Sequence, residues 1–258
     1  MPANYAHYRF GRECMDLFPP ETRRTVQRFR QLYDVGLHGP DLFYYYNPYT
    51  PTKAGNLGRF FHKQTGREFF TQACEMLKKS PSEGGMAYLW GVLGHYCLDS
   101  VCHPFVHEAI ADGKITHVEL EAEFDRFLLD RDGRTPACTQ DISGHMKLTR
   151  GECVTVSAFY PPATPANIHS SVLHMARCTK LLAWKKRKLL KNLLHLTPAA
   201  VQQSMMQDPA NHRCLHLNEE LLPRYNQALE KYPILLAQLM DYMKNGTPLG
   251  EEFEATFG

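Results

Sequence analysis

The 258-residue chain has no uninterrupted apolar run long enough to cross a bilayer, which excludes a membrane-spanning helix. Its start, Met-Pro-Ala-Asn-Tyr-Ala-His, has no basic stretch leading into a short apolar segment, so a cytoplasmic protein is expected. None of its eight cysteines stands in a CxxC pair, and their scatter from Cys14 to Cys214 favours reduced thiols over a disulfide framework. Neither sign of charge dominates. With 29 Lys+Arg against 27 Asp+Glu, any attraction to nucleic acid or to an anionic membrane has to be local. There is no internal repeat and no low-complexity tract. What remains, 43% apolar and 22% charged residues at this length, describes one ordinary globular domain spanning residues 1–258.

Helical signals recur between turn residues over about 20–34, 66–79, 82–103 and 116–130, and again over about 167–196, 217–231 and 233–245. The expected fold class is therefore all-α, a single-domain multi-helix array. Pro104 is expected to end the helix that begins near 82. The segment 37–60, rich in Gly, Pro, Tyr and Asn, reads as a long functional connection. Residues 131–166 read as an irregular surface connection in which ECVTVSAF is the only stretch resembling a short strand, and GEEFEATFG reads as a polar tail.

Histidine is abundant, at thirteen residues, and it is both the commonest metal ligand and the usual acid/base group near neutral pH. In LGHYCLDSVCHPFVH, His95, Asp99 and His103 recur at i, i+4 and i+8 and so project from one helix face. Gly84, Gly85 and Gly91 just before this stretch, and Gly94 within it, permit close approach of a neighbouring backbone or an occupied site. In ITHVELEAEFD, Thr116-x-x-Glu119 reads as a capping box, which leaves His117 and Glu121 to share a face. Histidine and carboxylate donors without thiolates suit a catalytic ion better than a structural one.

These residues carry a resemblance. His95-Tyr96-x-x-Asp99 followed by His117-x-x-x-Glu121 resembles the zinc-dependent phospholipase C family, which includes the alpha-toxin-like bacterial lecithinases. The likeness spans at least residues 7–125 and is closest to a branch that is not secreted. The resemblance implies that Asp41 in HGPDLF and His62 in GRFFHKQTG join His95 and Asp99 at one zinc, and that His103, His117 and Glu121 hold a second. It further implies that His7 in AHYRFG meets a third ion shared with Asp99, giving two or three zincs. The family places its next histidine six residues after the bridging acid and two after a proline, so His107 is an alternative to His103. The tryptophan with which the family's mature chain begins is absent.

The implied activity is metal-dependent hydrolysis of a phosphoester, most simply phospholipase C-type cleavage of a phospholipid or phospho-head-group ester. Asp41 is the implied catalytic residue, as base or water-orienting group, or else a ligand. A single-strand-specific zinc nuclease, with nucleic acid as partner, and a non-catalytic zinc scaffold are the alternatives. Phe43, Tyr44, Tyr45, Tyr46 and Tyr49 either wall the cleft and hold a quaternary ammonium group or pack their loop onto the body. The basic, leucine-rich segment Lys180–Leu196 offers peripheral membrane contact, or else a solvated helix face with its leucines turned inward.

Overall fold

The structure, a computed structural model, describes residues 4–46, 55–185, 187–197 and 199–258. Its elements are α1 (Asn4–Cys14), α2 (Pro20–Arg28), α3 (Arg30–Gly36), α4 (Gly55–His62), α5 (Gly66–Lys79), α6 (Glu83–Ala109), α7 (His117–Arg131), α8 (Arg150–Ser157), α9 (Pro165–Leu182), α10 (Arg187–Leu194), α11 (Ala199–Gln203) and α12 (Leu215–Asn245). Short 3₁₀ turns, among them Gly39–Tyr45, join them, and no strand occurs among the described residues. The chain is all-α.

Four helices start where a threonine caps the first turn. Thr65 with Glu68, Thr116 with Glu119 and Thr149 with Glu152 form reciprocal capping boxes at α5, α7 and α8, and Thr164 with Asn167 does the same at α9. The third of these overturns the strand reading of ECVTVSAF. Its β-branched valines point that way, but the cap starts a helix, and Cys153 and Val156 bury one face of it.

α6 is buried along most of its length and packs chiefly against α3 and α12. Its crossing with α3 is made backbone to backbone. A Cβ on Gly91 would lie 2.3 Å from the Tyr33 carbonyl oxygen and 2.9 Å from Gly36 Cα, so only glycine fits there. The helix does not stop at Pro104 but runs to Ala109, because Phe105 and Val106 are buried beyond it and their packing outweighs one lost backbone hydrogen bond. By the same reasoning α12 continues through Pro223 and Pro233, where two helices were expected. Conversely, the expected helix over 20–34 is two, α2 and α3, broken at Phe29 (φ −112°, ψ 41°), and the one over 167–196 breaks after Leu182.

The tail is not a free polar end. Phe253 and Phe257 are fully buried against Phe70 and Tyr96, while Arg67 donates to the carbonyls of Leu249 and Gly250 and the Tyr96 hydroxyl donates to that of Glu252. These contacts carry Gly258 to the imidazoles of His103 and His62.

Candidate metal centre

α6 supplies the axis of the site. His95 and Asp99 lie one turn apart, with His95 Nε2 3.2 Å from Asp99 Oδ2, and His103 Nε2 lies a turn further on, 3.8 Å from Asp99 Oδ1. α1 brings His7, whose Nε2 is 3.2 Å from Asp99 Oδ1 and whose ring stacks on His95 with centroids 4.6 Å apart. The start of α1 is pinned by Asp125 on α7, which accepts from the backbone N–H groups of Tyr5 (2.9 Å) and Ala6 (2.7 Å) and thereby fixes the helix register that points His7 inward.

Asp41 arrives on the turn Gly39–Tyr45. Gly39 has φ +47°, and a Cβ there would sit 2.6 Å from the His95 ring, so a glycine in a left-handed conformation lets this turn close onto the site. Asp41 Oδ1 is then 2.9 Å from His62 Nε2 and Oδ2 is 3.9 Å from His95 Nδ1. The other nitrogen of His62 donates to the Gly58 carbonyl at 2.6 Å, which orients Nε2 toward the acid. On α7, His117 Nε2 and Glu121 Oε1 are 2.8 Å apart, and His103 Nε2 is 3.5 Å from the same oxygen.

Two groups of donors result, His7, Asp41, His95 and Asp99 in one and His103, His117 and Glu121 in the other, each able to converge on one ion, with His62 adjoining the first. His107 is not part of either. Its ring is exposed and only leans on His103 and His117, at centroid distances of 5.7 and 5.9 Å. A small space is lined by His7, Asp99, His103 and Glu121 together with Leu98 and Phe124.

The electrostatics demand positive charge. Burial on its own would raise all three carboxyls, yet the His62 and His95 imidazoles hold Asp41 at about 2, and their histidine neighbours hold Asp99 and Glu121 lower still. Burial would lower His103, but Asp99 and Glu121 push it up to about 9, and Asp99 and Asp41 raise His7 and His62 in the same way. His95 is the exception, taken down to about 4 by burial. Both of its ring nitrogens are buried without a well-aligned hydrogen bond, as is Nδ1 of His7 and of His103. Buried carboxylates facing imidazole nitrogens that lack a well-aligned hydrogen bond are what a divalent cation satisfies, so the donor set fits zinc.

Several neighbours of the site carry no sequence signal of their own. Asp125 is one; burial pushes its carboxyl up to about 7 against the two N–H groups it accepts. Its i+4 spacing from Glu121 is visible in the sequence, but its partner, the start of α1, is not. A second is the buried pair His38 and His145, with Nε2 atoms 2.8 Å apart and His145 stacked on Tyr8. Burial keeps both neutral, His145 down to about 3. Of the aromatic run, Phe43 and Tyr45 point into the core, Tyr46 is half-buried, and Tyr44 alone approaches the site, its hydroxyl 3.4 Å from His62 Nδ1. Tyr49 lies outside the described residues. The described aromatics therefore pack the turn and form no cage.

The all-helical scaffold carries a histidine–carboxylate cluster of the kind that can hold catalytic metal ions. The family described as zinc dependent phospholipase C matches residues 6–193, and the chain belongs to it. Neither the curated proteins nor the solved structures include a chain that matches. No helix among the described residues is long and apolar enough to cross a membrane.

Proposed function

We propose that this protein cleaves a phosphoester by phospholipase C-type hydrolysis, acting on a phospholipid or a phospho-head-group ester. The observation that carries the reading is the position of Asp99, within 3.2 Å of His7 and His95 and 3.8 Å of His103, so that one carboxylate links two donor groups. His7, Asp41, His62, His95 and Asp99 would hold one part of a zinc cluster, and His103, His117 and Glu121 the other, two or three ions in all. When bound, zinc supplies a water that ionises near neutral pH and a positive seat for phosphoryl oxygens.

The chain's own groups do the rest. Asp41 presents both oxygens to the cluster, one toward His62 and one toward His95, and is placed to orient the attacking water and take its proton. His62 is held by the Gly58 carbonyl so that it steadies Asp41. His117 is part-exposed at the edge of the cluster, more so than the Glu121 carboxylate beside it.

The test is hydrolysis of p-nitrophenylphosphorylcholine by zinc-loaded protein with and without chelator, alongside Asp41→Asn. The expected result is chelator-sensitive turnover that falls about 10²-fold or more in the variant while its zinc content stays near that of the parent, because the amide oxygen of asparagine still offers a donor to the cluster but cannot take the proton. Turnover indifferent to chelator overturns the proposal, and loss of zinc together with activity in Asp41→Asn overturns the water-orienting role.

A further inference from the structure

The chain as a whole is almost neutral, yet from Cys153 to Gln207 there is no Asp or Glu, while Arg177, Lys180, Lys185, Lys186, Arg187, Lys188 and Lys191 all fall there. Lys186 lies outside the described residues. The same segment carries seven of the twelve exposed large apolar side chains found among the described residues, five of them close together at its basic end: Leu181, Trp184, Leu189, Leu193 and Leu196, the last 88% exposed. The leucines of α10 divide into two faces. Leu190 and Leu194 bury with Met205 in a small cluster of their own, backed by Leu182 and Val201, whereas Leu189 and Leu193 point to solvent at the same i, i+4 spacing. That local cluster holds the hairpin together without the outward leucines, so the fold does not account for them.

The base of this hairpin is also a wall of the site's surroundings. A partly open cavity is lined by Leu182, Ala183 and Met206 together with Asn4, Tyr45 and Ala122. The last three sit on the segments that carry His7, Asp41 and Glu121.

We infer that the end of α9 with α10 and α11 is the face by which the protein docks onto an anionic phospholipid surface, setting that surface beside the cavity and the metal cluster. Leucines and a tryptophan interleaved with lysines, and no acid, match the apolar and negative layers of such an interface. A nucleic acid would match the lysines but leave the leucines in water. This inference rests on the phospholipase reading for its purpose, but not for its test.

The experiment is cosedimentation of the full chain with vesicles of phosphatidylcholine, with and without phosphatidylserine, at low and high salt. The parent protein pellets with the phosphatidylserine vesicles at low salt and far less with phosphatidylcholine alone. Leu189→Gln/Leu193→Gln/Leu196→Gln lowers binding by about tenfold or more. Lys185→Gln/Lys191→Gln lowers it by about fivefold per charge. These side chains are exposed, and hydrolysis of soluble p-nitrophenylphosphorylcholine stays at the parent level in both variants. A parent protein that stays in the supernatant, or variants that pellet as it does, overturns the docking face. Vesicle binding without any phosphoester hydrolysis leaves the face standing and removes the enzymatic reading; hydrolysis without vesicle binding does the reverse.

Discussion

Gly91→Ala is the change through which the fold's control of the site is most directly measured. The added Cβ would meet the Tyr33 carbonyl oxygen at 2.3 Å and Gly36 Cα at 2.9 Å, against the 3.4 Å or more of ordinary contact, so α3 has to move away from α6 by about 1 Å. Overpacking against backbone costs about 3 kcal/mol, and alanine's better helix propensity returns about 1. The net of about 2 kcal/mol lowers the melting temperature by about 4–8 °C in a chain of this size. Because α3 leads directly into the turn that bears Asp41, the same shift loosens Asp41 from His95, while His103, His117 and Glu121 stand on α6 and α7 and keep their spacing. Thermal melting and zinc titration of the variant are the assays, with Gly151→Ala as control because nothing lies within 4 Å of a Cβ there. A melting temperature and zinc stoichiometry equal to the parent's would refute the reasoning.

Two further outcomes are expected. His103→Ala loses zinc and His107→Ala keeps it, read by elemental analysis of each, because only His103 lies within reach of Asp99 and Glu121; equal retention would reverse the assignment. In metal-free protein at pH 7 His103, pushed up to about 9, carries a proton that zinc must displace. Binding there therefore releases about one proton, and affinity climbs as pH rises from about 6.5 toward about 9. Calorimetric titrations in two buffers of different ionisation heat should give different apparent enthalpies, and identical heats would contradict the protonated state.

Much of the centre was legible because its main elements are local. His95, Asp99 and His103 on one helix, and His117 with Glu121 behind a capping box, depend only on helical spacing, and the structure keeps that spacing. Asp41, His62 and His7 come from other elements and were named through family resemblance, since nothing in their own neighbourhood distinguishes them. What brings them in is tertiary: the Gly36–Gly91 crossing, the left-handed Gly39, and Asp125 at the start of α1. The misread prolines and tail share one cause, which is packing that overrides local preference. Pro104, Pro223 and Pro233 are carried inside helices whose flanking residues are buried, and the tail's two phenylalanines outweigh its acids. In the basic segment the inward-facing expectation holds for Leu190 and Leu194 and fails for Leu189 and Leu193, a division that no hydropathy average reveals.

Metal content per chain, measured by elemental analysis of the untagged protein beside His95→Ala and Glu121→Ala, tests the central claim most directly. The account predicts two or three zincs in the parent and fewer in each variant, with both variants still folded by circular dichroism. A parent chain that binds no zinc, or variants that bind as much as the parent, would contradict it.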